Sequence, residues 1–270
     1  LIKMKKIFLT IAGALVVASC ATNPVTGRKS LSLVSNNALF PTAFTQYSTV
    51  LKESKVITGT ADARMVQTVG DRLKYAADKY YADKGISAQL QGYQWQFSLL
   101  QVNEENAWCM PGGKVAVYTG ILPITKDATG LAVVLGHEIG HALAGHSAEQ
   151  ASQMVAAQGL GQIIGGSIGN TEYADVFAKL YPVGAQVGLL SYSRKMELDA
   201  DETGLYLMAM AGYDPMQAIP FWERMAANGG KSNTSEFLST HPSDASRIEK
   251  IREALPLAMA YYKASPYKGK

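Results

Sequence analysis

The chain has 270 residues, of which 47% are hydrophobic and 17% are charged, a composition that supports a packed core and excludes intrinsic disorder. Its formal net charge is +3, from 25 basic and 22 acidic residues spread along the sequence. Because no basic stripe is present, nucleic acid is not expected as a partner. These features do not predict an oligomeric state.

Residues 1–19 have the organisation of a secretory signal peptide. Lysines at positions 3, 5 and 6 precede an apolar run from Ile7 to Val17, and small residues follow it. This run has 11 residues and is shorter than the roughly 20 that a membrane-spanning helix needs. We therefore predict that residues 1–19 are removed after export.

The end of this segment, Val17-Ala18-Ser19-Cys20, resembles the bacterial lipobox. The resemblance implies cleavage before Cys20 and acylation of this cysteine, and several acyl chains anchor a protein stably in a membrane. Ala21 then resembles the outer-membrane sorting pattern of Gram-negative lipoproteins. The expectation is an exported bacterial lipoprotein on the periplasmic side of the cell envelope, anchored in the outer membrane. An ordinary signal peptide with a chance cysteine is the alternative.

The next twenty residues predict a linker. Turn-forming residues in Asn23-Pro24 and Thr26-Gly27-Arg28 and the lack of a helical period indicate an extended, lipidated tether over residues 20–40. We expect residues 41–270 to form a single domain. Its first part should be helical, because apolar residues recur there at steps of three and four: Val66, Val69, Leu73 and Ala76.

A different pattern follows between Tyr93 and Leu122. Apolar and polar residues alternate from Tyr93 to Leu99, and a second apolar stretch begins at Val115 after Pro111-Gly112-Gly113. This predicts a small antiparallel sheet with a turn. Helices followed by a short sheet and further helices indicate an α+β, predominantly helical fold.

Residues 154–190 do not give a single prediction. The stretch from Met154 to Gly169 is apolar but contains five glycines. It could form a core helix, a gate over a cleft or a loop that dips into a membrane, in that order of preference.

The sequence Gly136-His137-Glu138-Ile139-Gly140-His141 contains the pattern H-E-x-x-H within an apolar, proline-free run. On a helix, His137 and His141 leave the same face one turn apart and can share one metal ion. Glu138 flanks that face and can act on a water near the metal. The pattern also arises by chance, and a catalytic zinc needs a third protein ligand.

His146, five residues after His141, points about 140° away around the helix, so we expect it to be a supporting or helix-end residue. Glu197 and Asp201 are better candidates, because they lie four residues apart on a second predicted helix. Glu197 could bind zinc while Asp201 accepts the outer N–H of a ligand histidine. Taken alone, this pair could equally be a solvated acidic face.

Together, H-E-x-x-H and the later Ser193-Arg194-x-x-Glu197-x-x-Ala200-Asp201 resemble the signature of the M48 family of zinc metallopeptidases. That family includes CAAX-prenyl endopeptidases and periplasmic lipoprotein relatives. The resemblance implies a zincin-like domain with the sheet beside the metal-binding helices. It implies one Zn²⁺ per chain, bound by His137, His141 and Glu197, with Glu138 as base and Asp201 in support.

Two residues near the C-terminus complete the predicted catalytic set. His241 and Arg247 lie in a His-Pro to Arg stretch that is similar to another landmark of the family. His241 is expected to stabilise the oxyanion, with Arg247 steadying the same region. A fourth zinc ligand in a resting state and an ordinary residue at a helix start are the alternatives for His241.

The resemblance implies a metalloendopeptidase acting on polypeptides of the bacterial cell envelope, with quality control of misfolded or immature proteins as its expected purpose. An extended substrate should pair with an open strand edge, for which Asn106 and Ala107 are candidates. A sheet-to-turn junction without function is the alternative for these two. An envelope chaperone or assembly factor with a latent protease site is the alternative function.

Overall fold

The computed structural model describes residues 20–157, 191–229, 236–241 and 245–270. The predicted signal peptide and most of the glycine-containing segment 154–190 lie outside these residues. The described helices and strands form two adjoining hydrophobic clusters.

The N-terminal segment differs from the extended tether that the sequence predicts. Strands β1 (Cys20–Thr22) and β2 (Lys29–Leu31) pair antiparallel, and Asn36–Leu39 forms a 3-10 helix. Val34 is buried in the smaller hydrophobic cluster. The segment thus packs against the domain. The contacts are made by a turn and by apolar residues without a regular spacing, so the hydrophobic period of the sequence does not predict them.

Two long helices follow, as predicted. Helix α1 spans Phe40–Glu53, and α2 spans Ala61–Asp83 after the short strand β3 (Val56–Ile57). The hydroxyl of Thr60 accepts a hydrogen bond from the Ala63 amide and caps α2. The buried stripe of α2 includes the four apolar positions found from the sequence: Val66, Val69, Leu73 and Ala76.

The sheet has four strands in the order β3-β4-β6-β5. Strand β4 spans Gln96–Leu100, β5 spans Ala107–Met110 and β6 spans Lys114–Tyr118. β3 with β4 and β5 with β6 are antiparallel, whereas β4 with β6 is parallel, a relation that residue alternation alone does not predict. Among the described strands, β5 lies at one edge of the sheet, next to the helix that carries the H-E-x-x-H residues.

After the short helix α3 (Leu122–Thr125), helix α4 spans Ala128–Ala144 and is buried from Gly130 to Leu143. The side chain of Asp127 caps its first turn, and Gly145 ends it in the left-handed conformation at φ 69°. A helix that is apolar on all faces must be enclosed by other elements. This enclosure keeps the H-E-x-x-H residues away from bulk water.

Helix α6 (Arg194–Met210) packs closely against α4. A Cβ on Gly204 would lie 2.6 Å from the Gly136 carbonyl carbon, and one on Gly140 would lie 2.8 Å from the Ala200 carbonyl oxygen. The two backbones can approach so closely only because glycines occupy these contacts. The contact brings the acidic residues of α6 next to the histidines of α4.

Four further helices lie in the parts of the chain that the structure describes. Helix α5 spans His146–Ala157, α7 spans Ala218–Gly229, α8 spans Glu236–Thr240 and α9 spans Ala245–Ala264. The predicted α+β, predominantly helical fold with a small sheet is confirmed. Within the described parts of the chain, no helix has the length and apolar character needed to cross a membrane.

Candidate metal centre

The two histidines of H-E-x-x-H project from one face of α4. Their Nε2 atoms lie 3.1 Å apart, and both residues are only 1% exposed. The Nδ1 atoms make contacts with other residues. This is the arrangement expected of two histidines that share one metal ion through Nε2.

Glu197 and His241 complete a cluster of four buried groups. One potential ligand atom from each of His137, His141, Glu197 and His241 lies within 4.8 Å of the others. Glu197 Oε1 is 3.4 Å from His141 Nε2 and 3.0 Å from His241 Nδ1. Imidazole nitrogens with one carboxylate form a donor set that suits zinc. The residues therefore fit the predicted Zn²⁺.

Asp201 and Arg247 support His137. Asp201 Oδ1 accepts a hydrogen bond from His137 Nδ1 at 2.9 Å. Arg247 donates to both oxygens of Asp201, each at 2.6 Å, and its guanidinium lies 4.1 Å from the ring centroid of Trp222. A carboxylate at Nδ1 fixes the ring with Nε2 facing the cluster.

His146 and Asp199 support His141. The Nδ1 atoms of His141 and His146 are 2.8 Å apart, and His146 Nε2 lies 3.4 Å from Asp199 Oδ2. The sequence suggested only a supporting or helix-end role for His146 and did not single out Asp199. The ring of Tyr192 stacks on the ring of His141, with ring centroids 4.0 Å apart.

Glu138 is buried beside the cluster. Its Oε1 lies 3.4 Å from His241 Nε2 and, in the residues described, has no hydrogen-bond partner. Burial raises the pKa of Glu138 to about 7, against the opposing effects of His241 and Arg247. A carboxylate with a pKa near neutrality can both take up and release a proton.

The other members of the cluster show how burial and neighbouring groups compete. Burial lowers the pKa of His137, but its bonds to Asp201 and Glu197 outweigh this effect and the net pKa is raised. Burial lowers the pKa of His141 well below its ordinary value. Burial raises the pKa of Glu197, but His241 and the two other histidines reverse the effect and the net pKa is lowered. Glu197 is therefore ionised.

His241 lies closer to the other three residues of the cluster than a role in stabilising the oxyanion requires. Besides Glu197, its Nδ1 is 3.2 Å from His137 Nε2. This geometry favours the alternative that His241 is a fourth metal-binding group. Arg247 donates to the His241 backbone carbonyl at 3.2 Å and forms an ion pair with Glu197 Oε2 at 3.2 Å. Its contribution to catalysis stays a prediction.

The predicted substrate residues lie at the edge strand. Asn106 and Ala107 are buried where β5 begins, and the Asn106 side chain accepts a hydrogen bond from the Ala107 amide. The backbone carbonyl of Glu105, just before them, accepts a hydrogen bond from the Phe237 backbone amide at 3.1 Å, which ties α8 and hence His241 to this edge. Their role in substrate binding stays a prediction.

The two cysteines occupy different environments. Burial, together with the nearby Glu138, raises the pKa of the Cys109 thiol well above its ordinary value, and Cys109 packs in the larger hydrophobic cluster. Cys20 is exposed at the start of β1. Acylation of Cys20 stays a prediction.

Comparison with known proteins supports the same class of site. The sequence profile of peptidase family M48 matches residues 62–255, which include all three predicted zinc ligands. The chain therefore belongs to peptidase family M48, whose members are zinc-dependent metallopeptidases. This match agrees with the predicted class, a zinc metallopeptidase, and the relatives are named metalloendopeptidases.

Those relatives include mitochondrial and bacterial proteins. The chain is 42% identical to the mitochondrial metalloendopeptidase OMA1 of Schizosaccharomyces pombe, over 61% of this chain and 48% of the relative. It is 30% identical to human OMA1, over 88% of this chain and 46% of the relative. The metalloprotease YcaL of Escherichia coli is 25% identical, over 70% of this chain and 73% of the relative. The chain spans about half the length of these OMA1 relatives.

These relatives correct one prediction. The expected location, a periplasmic lipoprotein in the bacterial outer membrane, is wrong. The OMA1 proteins of two yeasts match at 42% and 35% identity, whereas bacterial YcaL matches at 25%. The prediction relied on the first twenty residues, and a short signal-like pattern carries less information about compartment than similarity over most of a domain.

Proposed function

We propose that this chain hydrolyses internal peptide bonds of misfolded or immature proteins by a zinc-dependent mechanism. His137, His141 and Glu197 hold the ion, and Glu138 is the catalytic base. The observation that carries the proposal is a buried set of three converging ligands with the Glu138 carboxylate beside it. The M48 match and the names of the relatives support endopeptidase activity.

Glu138, His241 and Arg247 have separate roles in this mechanism. Zinc, when bound, supplies the Lewis acidity that polarises a peptide carbonyl and lowers the pKa of a water. Glu138 takes the proton from the attacking water and passes it to the leaving amine. Its unpartnered Oε1 and raised pKa suit both steps. His241 would complete the ligand set around a bound ion. With Arg247 holding its backbone carbonyl, His241 is also placed to donate a hydrogen bond to the developing oxyanion.

Substrate lies extended along β5, the edge strand next to α4. Pairing through main-chain groups binds many sequences, because it does not depend on side chains. Asn106 and Ala107 lie where this edge begins, and the influence of Glu138 on the Cys109 thiol is consistent with β5 running beside the base. A misfolded protein, which exposes extended segments, is a suitable substrate for such an edge.

The test compares zinc content and casein cleavage in the wild type and in Glu138→Gln. The variant should keep one zinc per chain, because Glu138 is not a ligand, and should lose about 10²- to 10⁴-fold in cleavage rate. Glu253→Gln, at an exposed position on α9, is the matched control and should behave as wild type.

Two results would contradict the proposal. A zinc-loaded Glu138→Gln variant that cleaves as fast as wild type would exclude Glu138 as the base. A wild type that holds zinc but cleaves no unfolded substrate would favour the alternative of a chaperone with a latent site.

Attachment to a membrane through acylated Cys20 is a separate proposal, and it carries no assignment of compartment. The exposure of Cys20 supports it. Membrane fractions from cells that express wild type or Cys20→Ala provide the test. Loss of the variant from the membranes is expected, and equal attachment of both proteins would overturn the proposal.

A further inference from the structure

We propose that Arg28 is a positioning residue of the metal centre, acting on His141 through Asp199 and His146. The inference rests on the zinc site proposed above and deepens it. It assigns a role to the segment around Arg28, which the sequence predicts to be a tether.

Arg28 binds two buried carboxylates from different helices. Its Nη1 and Nη2 donate to the two oxygens of Glu149 on α5, at 2.9 and 2.6 Å. Its Nε donates to Asp199 Oδ2 on α6. The carboxylate side chains are only 8% and 6% exposed. Because buried carboxylates need ionic partners, Arg28 fixes the position of both.

The turn around Arg28 is built to hold this contact. The side-chain oxygen of Asn23 accepts hydrogen bonds from the backbone amides of Val25 and Thr26. The backbone amide of Asn23 donates to the backbone carbonyl of Arg28 at 2.8 Å. Thr26 Oγ1 donates to Asp199 Oδ1 at 2.7 Å. The turn therefore presents two donors to one carboxylate, one to each oxygen.

Asp199 is connected to the ligand histidine by one ring. A histidine that binds metal through Nε2 carries its proton on Nδ1, so His141 donates to His146 Nδ1 across the 2.8 Å contact. His146 then carries its own proton on Nε2, which faces Asp199 Oδ2. This order of protons requires Asp199 to accept, and an accepting carboxylate must stay in place.

The consequence is a chain of contacts from Arg28 to the metal ligand. Loss of Arg28 leaves Asp199 with Thr26 and His146 as partners and removes the ionic contact that prevents it from turning away. His146 and then His141 lose orientation, and the affinity for zinc falls. Residues that orient a ligand from behind typically affect metal affinity by about 10- to 100-fold.

The experiment measures the dissociation constant for Zn²⁺ by competition with a chromophoric chelator, on full-length protein whose folding is checked by circular dichroism. Asp199→Asn should weaken binding by about 10-fold, and Arg28→Gln, one contact further away, by about 3- to 10-fold. Arg28→Lys should restore only part of the affinity, because an ammonium group cannot bridge both carboxylates.

A double-mutant cycle separates positioning from general destabilisation. If Arg28 acts through Asp199, Arg28→Gln should add less than about twofold in the Asp199→Asn background. Arg72→Gln is the matched control, since Arg72 packs against Tyr213 and Tyr267, beyond the far end of α6. Its zinc affinity should equal that of the wild type.

Each outcome decides the inference. Wild-type affinity in folded Arg28→Gln, or fully additive effects with Asp199→Asn, would overturn it and leave the zinc site itself intact. A wild type that does not bind zinc would overturn the proposed function instead. If Arg28→Gln does not fold, Thr26→Val removes one donor to the same carboxylate, and wild-type zinc affinity in that variant would overturn the inference.

Discussion

The two histidines of the proposed metal centre stand one turn apart on α4, yet they are supported differently. His137 has a carboxylate in direct contact, and an arginine from the C-terminal helix α9 binds that carboxylate. His141 contacts a second histidine, and its carboxylate, Asp199, is one residue further away and bound by Arg28 from the N-terminal segment. Both carboxylates belong to α6.

The two rings also differ in the direction in which their pKa values are shifted. Direct contact with Asp201 raises the pKa of His137 despite burial, whereas the pKa of His141, without such a contact, is lowered well below its usual value. One ligand is thus oriented by a charge and the other by a neutral ring. Support of a metal ligand does not require an adjacent carboxylate, provided that a neutral partner is itself held.

The largest expected effect comes from the residue that both sides share. Glu197 approaches His137 and His141 equally, at 3.4 Å. Glu197→Gln removes the charged ligand and should weaken zinc binding by more than about 100-fold, beyond the range for supporting residues. Chelator competition measures this loss. An affinity within about 10-fold of wild type would mean that Glu197 is not a ligand.

The second prediction sharpens the comparison between the two supports. Asp201→Asn should weaken zinc binding by about 10- to 100-fold and by more than Asp199→Asn, because Asp201 touches its histidine directly. The same titration on both variants measures the difference. Asp199→Asn serves as the matched control, and an equal or larger loss in that variant would contradict the ranking.

The third prediction concerns the helix contact on which both supports depend, and its effect is on stability. Gly204→Ala places a Cβ against the backbone of Gly136 and should force α4 and α6 apart, with a loss of about 1 to 3 kcal/mol in unfolding free energy. Urea unfolding of the metal-free protein measures the loss. Unchanged stability together with unchanged zinc affinity would show that the helices tolerate a wider separation.

The sequence predicts one side of the centre much better than the other. His137, His141, Glu197 and Asp201 form two pairs spaced by four residues, and this helical spacing reveals a shared face. His146 and Asp199 lie off these faces by spacing, and only the packing of three helices brings them together. Arg28 has no local pattern that links it to position 199.

The fold likewise has features that the sequence predicts and features that it does not. Helices and the α+β class follow from periodicity and element order, which are local properties. The parallel β4–β6 pair and the docked N-terminal segment depend on contacts between distant parts of the chain, which local patterns do not encode. The strands and the 3-10 helix within residues 20–40, where the sequence predicts an extended tether, have the same explanation.

The contact of Arg28 with Asp199 and the contact of Arg247 with Asp201 give the metal centre a property that its ligands alone lack. The residues that form it are far apart in the sequence, from Arg28 to Arg247. During synthesis, a chain that ends before His241 and Arg247 has both histidines of H-E-x-x-H but an incomplete site. The cluster is therefore complete only when the stretch from Arg28 to Arg247 has folded as one unit.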